Sequence, residues 1–201
     1  MKNYHRVIPT LLLQDRDFVK TIKFSNPRYL GDPINIMRIF NDKFVDELCI
    51  LNITNNLKKN NFDFLKDIFS ECLLPLSYGG NIGSIEDVRK IFKIGADKII
   101  FSSNLYQKPE LVKETIKEVG SQGVVGCVNV IENANNYSIY LSGTKELIHT
   151  NNIQDKIKEL VDFGLGELII NFVSRDGMKS GYDYNFIKKI STKIGIPLIV
   201  L

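Results

Sequence analysis

The chain has 201 residues, 44% hydrophobic and 24% charged, with 14 glycines and 6 prolines, which excludes a disordered chain, a collagen-like repeat and a small disulfide scaffold. Its 26 basic and 23 acidic residues leave a net charge of +3, too balanced for a nucleic-acid binder. No apolar run reaches the length of a membrane span, and the opening MKNYHRVIPTLLLQDRD has no signal-peptide cleavage site. A cytoplasmic protein without nucleic-acid or membrane partners is expected. Cys49, Cys72 and Cys127 lie far apart in apolar strings and read as reduced core thiols.

Short apolar runs alternate with longer amphipathic stretches. The runs are VIPTLLL (7–13), ELCILNI (47–53), LLPLSY (73–78), KIIFSS (98–103), VVGCVNV (124–130), ELIINFV (167–173) and IPLIVL (196–201). Helical patterns lie between most of them, at 33–44, 62–72, 84–95, 109–120, 152–164 and 183–195. Ser84 with Asp87, and Asn152 with Asp155, stand where an N-cap and a first-turn acid belong, while Gly95, Gly120, Gly164 and Gly195 close their helices. Strands that are apolar throughout suit a parallel sheet buried on both faces. The expected class is parallel α/β.

The spacing also suggests a duplication. Asp46-Glu47-Leu48 recurs as Gly166-Glu167-Leu168, 120 residues later, and Leu74-Pro75-Leu76 as Ile196-Pro197-Leu198, 122 later. Two units of four βα elements make a (β/α)₈ barrel of two half-barrels, about 1–122 and about 123–201. On this reading strands one to seven are present, and the eighth strand, expected beyond Leu201, is missing.

Three loops stand out. Tyr78-Gly79-Gly80-Asn81-Ile82-Gly83 follows a strand and precedes a capped helix, as a phosphate site does; a tight turn is the alternative. Ser102 and Ser103 end the next strand and offer donors at the same rim. Ser174 to Gly181 follows the sixth strand, where barrel loops build active sites. The stretch 14–20 reads as a charged loop and a candidate substrate lid. Arg6, Glu47, Lys98 and Glu167 each start a strand, which by spacing alone is ordinary flanking charge. No metal and no cofactor is expected.

The segments RVIPTLLLQDRDFVK, GDPINIMRIF, VDELCILNIT, PLSYGGNIGSIEDVRKIFKIGADK and SRDGMKSGYD resemble the cyclase subunit of imidazole glycerol phosphate synthase, in order and over essentially the whole chain. The resemblance implies a (β/α)₈ TIM barrel paired with a HisH-like glutaminase at the barrel floor. It implies an ammonia gate at that floor made of Arg6, Glu47, Lys98 and Glu167, with Asp97 beside it as a partner contact. It carries over Lys20 and Asp176 as catalytic residues. Gly79, Gly80, Asn81, Ser102, Ser103 and Gly177 become binding residues for a phosphorylated small-molecule substrate.

At the family's two catalytic carboxylate positions stand Leu12 and Asn129, and Asn52 replaces a third acid. Leucine exchanges no proton, and an amide is neither acid nor base near neutral pH. The site is therefore degenerate. Keeping the gate without the carboxylates is similar to the paralogues associated with amidation of surface sugars, where a separate sugar-amidating enzyme acts. A genuine histidine-pathway cyclase and a non-catalytic scaffold for a phosphorylated ligand remain as alternatives.

Overall fold

The apolar runs become strands and the amphipathic stretches helices in the computed structural model, which describes residues 5–43, 45–54, 60–133 and 136–201. The chain divides into two compact units, Met1–Lys20 with Arg28–Ile99 and Thr21–Pro27 with Ile100–Leu201.

The first unit takes β1 (Thr10–Gln14), β2 (Asp17–Ile22) as far as Lys20 and β3 (Ser25–Gly31) from Arg28, followed by α1 (Pro33–Lys43) and β4 (Leu48–Asn52). Next come α2 (Phe62–Ser70), β5 (Leu76–Gly79), α3 (Ile85–Lys93) and β6 (Lys98–Phe101) as far as Ile99. The final residue of the helical pattern at 33–44, Phe44, lies outside the described residues. β4 pairs in parallel with β1 and with β5, setting Thr10 opposite Cys49 and Cys49 opposite Ser77. Leu48, Ile50, Leu76 and Tyr78 are fully buried, as expected of parallel strands covered on both faces. Leu65 and Ile68 of α2, with Val88 and Ile91 of α3, supply the buried helical stripes.

The second unit continues with α4 (Asn104–Gln107), α5 (Pro109–Val119), β7 (Val124–Asn133), β8 (Asn136–Leu141) and β9 (Glu146–Ile148). It ends with α6 (Ile153–Val161), β10 (Glu167–Phe172), α7 (Tyr184–Ser191) and β11 (Leu198–Val200). β10 pairs in parallel with β7 and β11, so Ile169 lies opposite Cys127 and Ile199. The turns at the helix ends follow their chemistry. Ser84 and Asp87 form a complete capping box, and the Asn152 side chain accepts from the Gln154 and Asp155 amides. Gly95, Gly120 and Gly164 take positive φ, but Gly195 does not and lies in the loop beyond α7.

Two hairpins depart from the sequence reading. The 14–20 stretch is not a loop: it turns at Asp15–Arg16 into β2, where Phe18 and Val19 are buried. β2 and β3 meet at Lys23–Phe24, both at positive φ, without the glycine or asparagine that usually marks such a turn. The segment after β7 folds back as β8 and β9, with Val130 opposite Ile139 and Ile139 opposite Ile148. All three cysteines are free thiols; Cys49 and Cys127 are buried and Cys72 only half-buried.

Candidate functional site

At the strand starts of the first unit, Glu47 is buried at 4% exposure. Its Oε2 takes Lys98 Nζ at 2.7 Å and Arg6 Nη1 at 3.1 Å. The neighbouring Asp46 and Asp97 act on the backbone: Val7 N donates to Asp46 Oδ2, and Leu76 N to Asp97 Oδ2. Three of the four strand-start charges thus meet within one unit. The fourth, Glu167, begins β10 in the second unit, opposite Val125.

On the interior side of Glu47, two residues along β4, sits Cys49. Burial pushes its thiol up to about 12, against weaker opposition from hydrogen bonds to Ser77 and Thr10. The row Thr10, Cys49, Ser77 is therefore small, polar and uncharged at neutral pH.

The strand ends of this unit carry a closed amide network. The Tyr78 hydroxyl donates to Asn60 Oδ1 at 2.8 Å, and Asn52 Nδ2 donates to both Asn60 Oδ1 and the Tyr78 oxygen. Burial drives the Tyr78 phenol well above its ordinary range, so it stays a neutral donor. Asn60 Nδ2 then donates to the carbonyls of Gly80 and Asn81, which fixes the glycine loop from beneath. Asn81 holds φ +55° and Gly80 φ +108°, left-handed conformations that asparagine tolerates and glycine adopts freely. A Cβ on Gly80 would lie 2.1 Å from the Asn52 carbonyl oxygen. Gly80→Ala is expected to cost about 1–3 kcal/mol; an unchanged urea midpoint would show that the 52–54 backbone yields freely. Beside the network is a cavity of about 180 Å³ lined by residues including Leu13, Arg16, Asn52 and Asn81. Leu12 is half-buried on β1 opposite Leu51, and Lys20 is exposed on β2.

In the second unit Asn129 is buried at 5% exposure near the end of the β7 ladder with β10. Its Nδ2 donates to Ser102 Oγ at 3.1 Å and to the Tyr140 carbonyl at 3.4 Å. The Cys127 thiol approaches its Oδ1 at 3.8 Å. Ser103 precedes α4 without a side-chain cap bond. Asp176 Oδ2 accepts from Thr21 Oγ1 at 2.8 Å and from Phe24 N at 3.0 Å, and its carbonyl accepts from Lys23 N. Gly177, at φ +68°, packs so tightly that a Cβ would sit 2.4 Å from the Thr21 carbonyl oxygen. Thr21 and Phe24, which hold Asp176, are residues that the sequence reading did not single out.

Each unit thus brings strand-end residues together: Asn52, Gly79, Gly80 and Asn81 in the first, Ser102, Asn129, Asp176 and Gly177 in the second. The chemistry on offer is hydrogen bonding to a polar ligand. The amides of Asn52 and Asn129 cannot move protons, and the Asp176 carboxylate already accepts two bonds. Among the described residues no group of three or more His, Cys, Asp or Glu could hold a metal ion. No helix among them is long and apolar enough to cross a membrane.

Comparison with known proteins bears on this arrangement. The family model described as histidine biosynthesis protein matches residues 6–200. A protein of Leptospira borgpetersenii named "Putative imidazole glycerol phosphate synthase subunit HisF" is 38% identical over 98% of this chain and 78% of its own length. One of Pseudomonas aeruginosa named "Putative imidazole glycerol phosphate synthase subunit hisF2" is 35% identical over 96% of the chain and 78% of its own. The imidazole glycerol phosphate synthase subunit HisF of Alkaliphilus metalliredigens is 34% identical over the same shares. A match that runs from Arg6 at the strand-start ion cluster to the last strand leaves one conclusion: the chain belongs to the histidine biosynthesis protein family and is HisF-like.

Proposed function

We propose that this chain is the synthase subunit of a glutamine amidotransferase complex. A HisH-like glutaminase docks at the strand-start face of the TIM-barrel-like fold, of which residues about 1–122 and about 123–201 are the two half-barrel repeats. Ammonia released there passes through the barrel to a phosphorylated substrate in the cytoplasm, and a separate enzyme completes the amidation of a surface sugar.

The observation that carries this reading is buried Glu47 holding Lys98 and Arg6. Desolvating such a cluster often stabilises a fold less than apolar residues of the same volume would. A chain that needed only a floor for its core has no reason to retain it. The neutral row behind it suits ammonia, since an apolar or weakly polar passage admits an uncharged molecule and rejects ammonium. With Glu167 as the fourth member, the set is the gate that the family resemblance implies. Leu12 and Asn129, at the positions of the family's acid and base, argue that the delivered ammonia meets different chemistry from imidazole ring formation.

The reading is tested with a matched glutaminase and glutamine labelled with ¹⁵N in its amide. Lys98→Ala is expected to leave complex formation and glutamine hydrolysis in place while label escapes to bulk ammonium. Failure of the native chain to bind any glutaminase subunit in calorimetry would overturn the proposal in favour of a phosphate-binding scaffold. The second reading, a histidine-pathway cyclase, is favoured by Lys20, Asp176 and Gly177, which match that family's pattern.

A further inference from the structure

Four side chains outside the strand ends converge on the loop that carries Asp176 and Gly177. The Tyr137 hydroxyl on β8 donates to Asp183 Oδ2 at 2.5 Å. The other oxygen of Asp183 accepts from Phe186 N at 3.0 Å and so caps α7. Arg175 Nη2 lies 3.7 Å from Asp183 Oδ2 and 3.8 Å from Glu132 Oε2 on β7. The Arg175 Nε is buried without a hydrogen-bond partner, an arrangement that is costly unless nearby charge offsets it.

A second route runs through the rings. Tyr137 packs on Phe186 with centroids 4.6 Å apart, and Phe186 meets Phe172 edge-on at 5.3 Å. The Phe172 carbonyl accepts from both Arg175 N and Asp176 N. Polar and aromatic paths therefore both lead from Tyr137 to the backbone of residues 175 and 176.

We propose that Tyr137 is a positioning residue: through Asp183 it anchors the 174–183 loop so that the Gly177 backbone is held ready for the phosphate of the ligand. The inference rests on reading Asp176 and Gly177 as ligand-binding. One carboxylate ties β8, α7 and the loop together, and its charge lies beside the half-buried guanidinium of Arg175, whose Nε is buried. Burial, then the Asp183 bond, pushes the Tyr137 phenol up to about 12, so it remains a donor throughout the neutral range. Burial alone would raise the Asp183 carboxyl; the Tyr137 hydroxyl, the Phe186 amide and Arg175 outweigh it and hold the group below the usual carboxylate range.

Tyr137→Phe isolates the hydroxyl, because the ring stays to pack on Phe186. Asp183→Asn preserves a good N-cap residue while removing the charge. The probe is inorganic phosphate, followed by the amide resonance of Gly177, alongside the downfield hydroxyl proton of a short O–H···O bond. Both variants are expected to lose the downfield proton and to raise the phosphate Kd at Gly177 about tenfold, the effect of one charge-assisted bond. Loss of that proton with an unchanged Kd overturns the positioning role and leaves the site reading intact. A native Gly177 amide that ignores phosphate overturns both, and it does so before any variant is made.

Discussion

Glu47→Ala is expected to lower the unfolding free energy by about 3–5 kcal/mol, because removing one partner of a buried ion cluster strands the other. The Lys98 side chain is only 17% exposed and has Glu47 Oε2 at 2.7 Å. Losing that oxygen removes a close charged partner from a largely buried ammonium. Arg6 is 38% exposed and can turn outward, so most of the loss belongs to Lys98. In a chain of this size the change corresponds to a fall in Tm of about 6–20 °C. The paired replacement Glu47→Leu with Lys98→Leu removes both charges and should recover most of the loss. It separates stability from the proposed function, for a cluster that is merely structural would leave glutaminase coupling intact in the pair. A loss below about 1 kcal/mol for Glu47→Ala would mean that the cluster is hydrated and behaves as a surface pair.

The strands and helices that build this site were legible because their signals are local. Apolar runs such as ELCILNI and ELIINFV became β4 and β10. Ser84 and Asn152 capped where cap chemistry placed them. The hairpins were not legible for an equally local reason. Lys23 and Phe24 carry the two positive φ values of a tight turn, conformations that glycine or asparagine usually advertises. In β8 the alternation of Tyr137, Ile139 and Leu141 is short, and the following turn rests on Lys145 at φ +62°. The partners of Asp176 are 155 and 152 positions away in the chain, a separation that no pattern in one sequence encodes. Asp97 shows the opposite limit: the resemblance implies a partner contact, while one of its oxygens accepts the Leu76 amide.

Imidazole ring formation from the histidine-pathway intermediate is expected to be very weak or absent in the native chain and to rise in the double variant Leu12→Asp, Asn129→Asp. A positioned acid or base contributes about 10²–10⁴-fold, and both are absent. The two positions differ in what a carboxylate would meet. Leu12 is half-buried between Val19 of β2 and Leu51 of β4, so a charge there is poorly solvated and its proton affinity rises. That favours a general acid. At 129 the present amide donates to Ser102 Oγ and the Tyr140 carbonyl. A carboxylate in its place keeps the serine, whose hydroxyl can turn to donate, but faces the carbonyl without a proton between them. Asn129→Asp alone should therefore destabilise the β7–β8 junction by about 1–3 kcal/mol, the cost of an unsatisfied buried polar contact. The double variant is expected to gain at least about 100-fold in turnover over the native background, with ammonium as the nitrogen donor. Either carboxylate alone should give little, since acid and base act on the same ring closure and such pairs are strongly non-additive. Native turnover within the usual enzyme range of about 1–10³ s⁻¹ would sink the argument. It would mean that Lys20, Asp176 and the amide of Asn129 suffice for the chemistry, and that the histidine-pathway reading is correct.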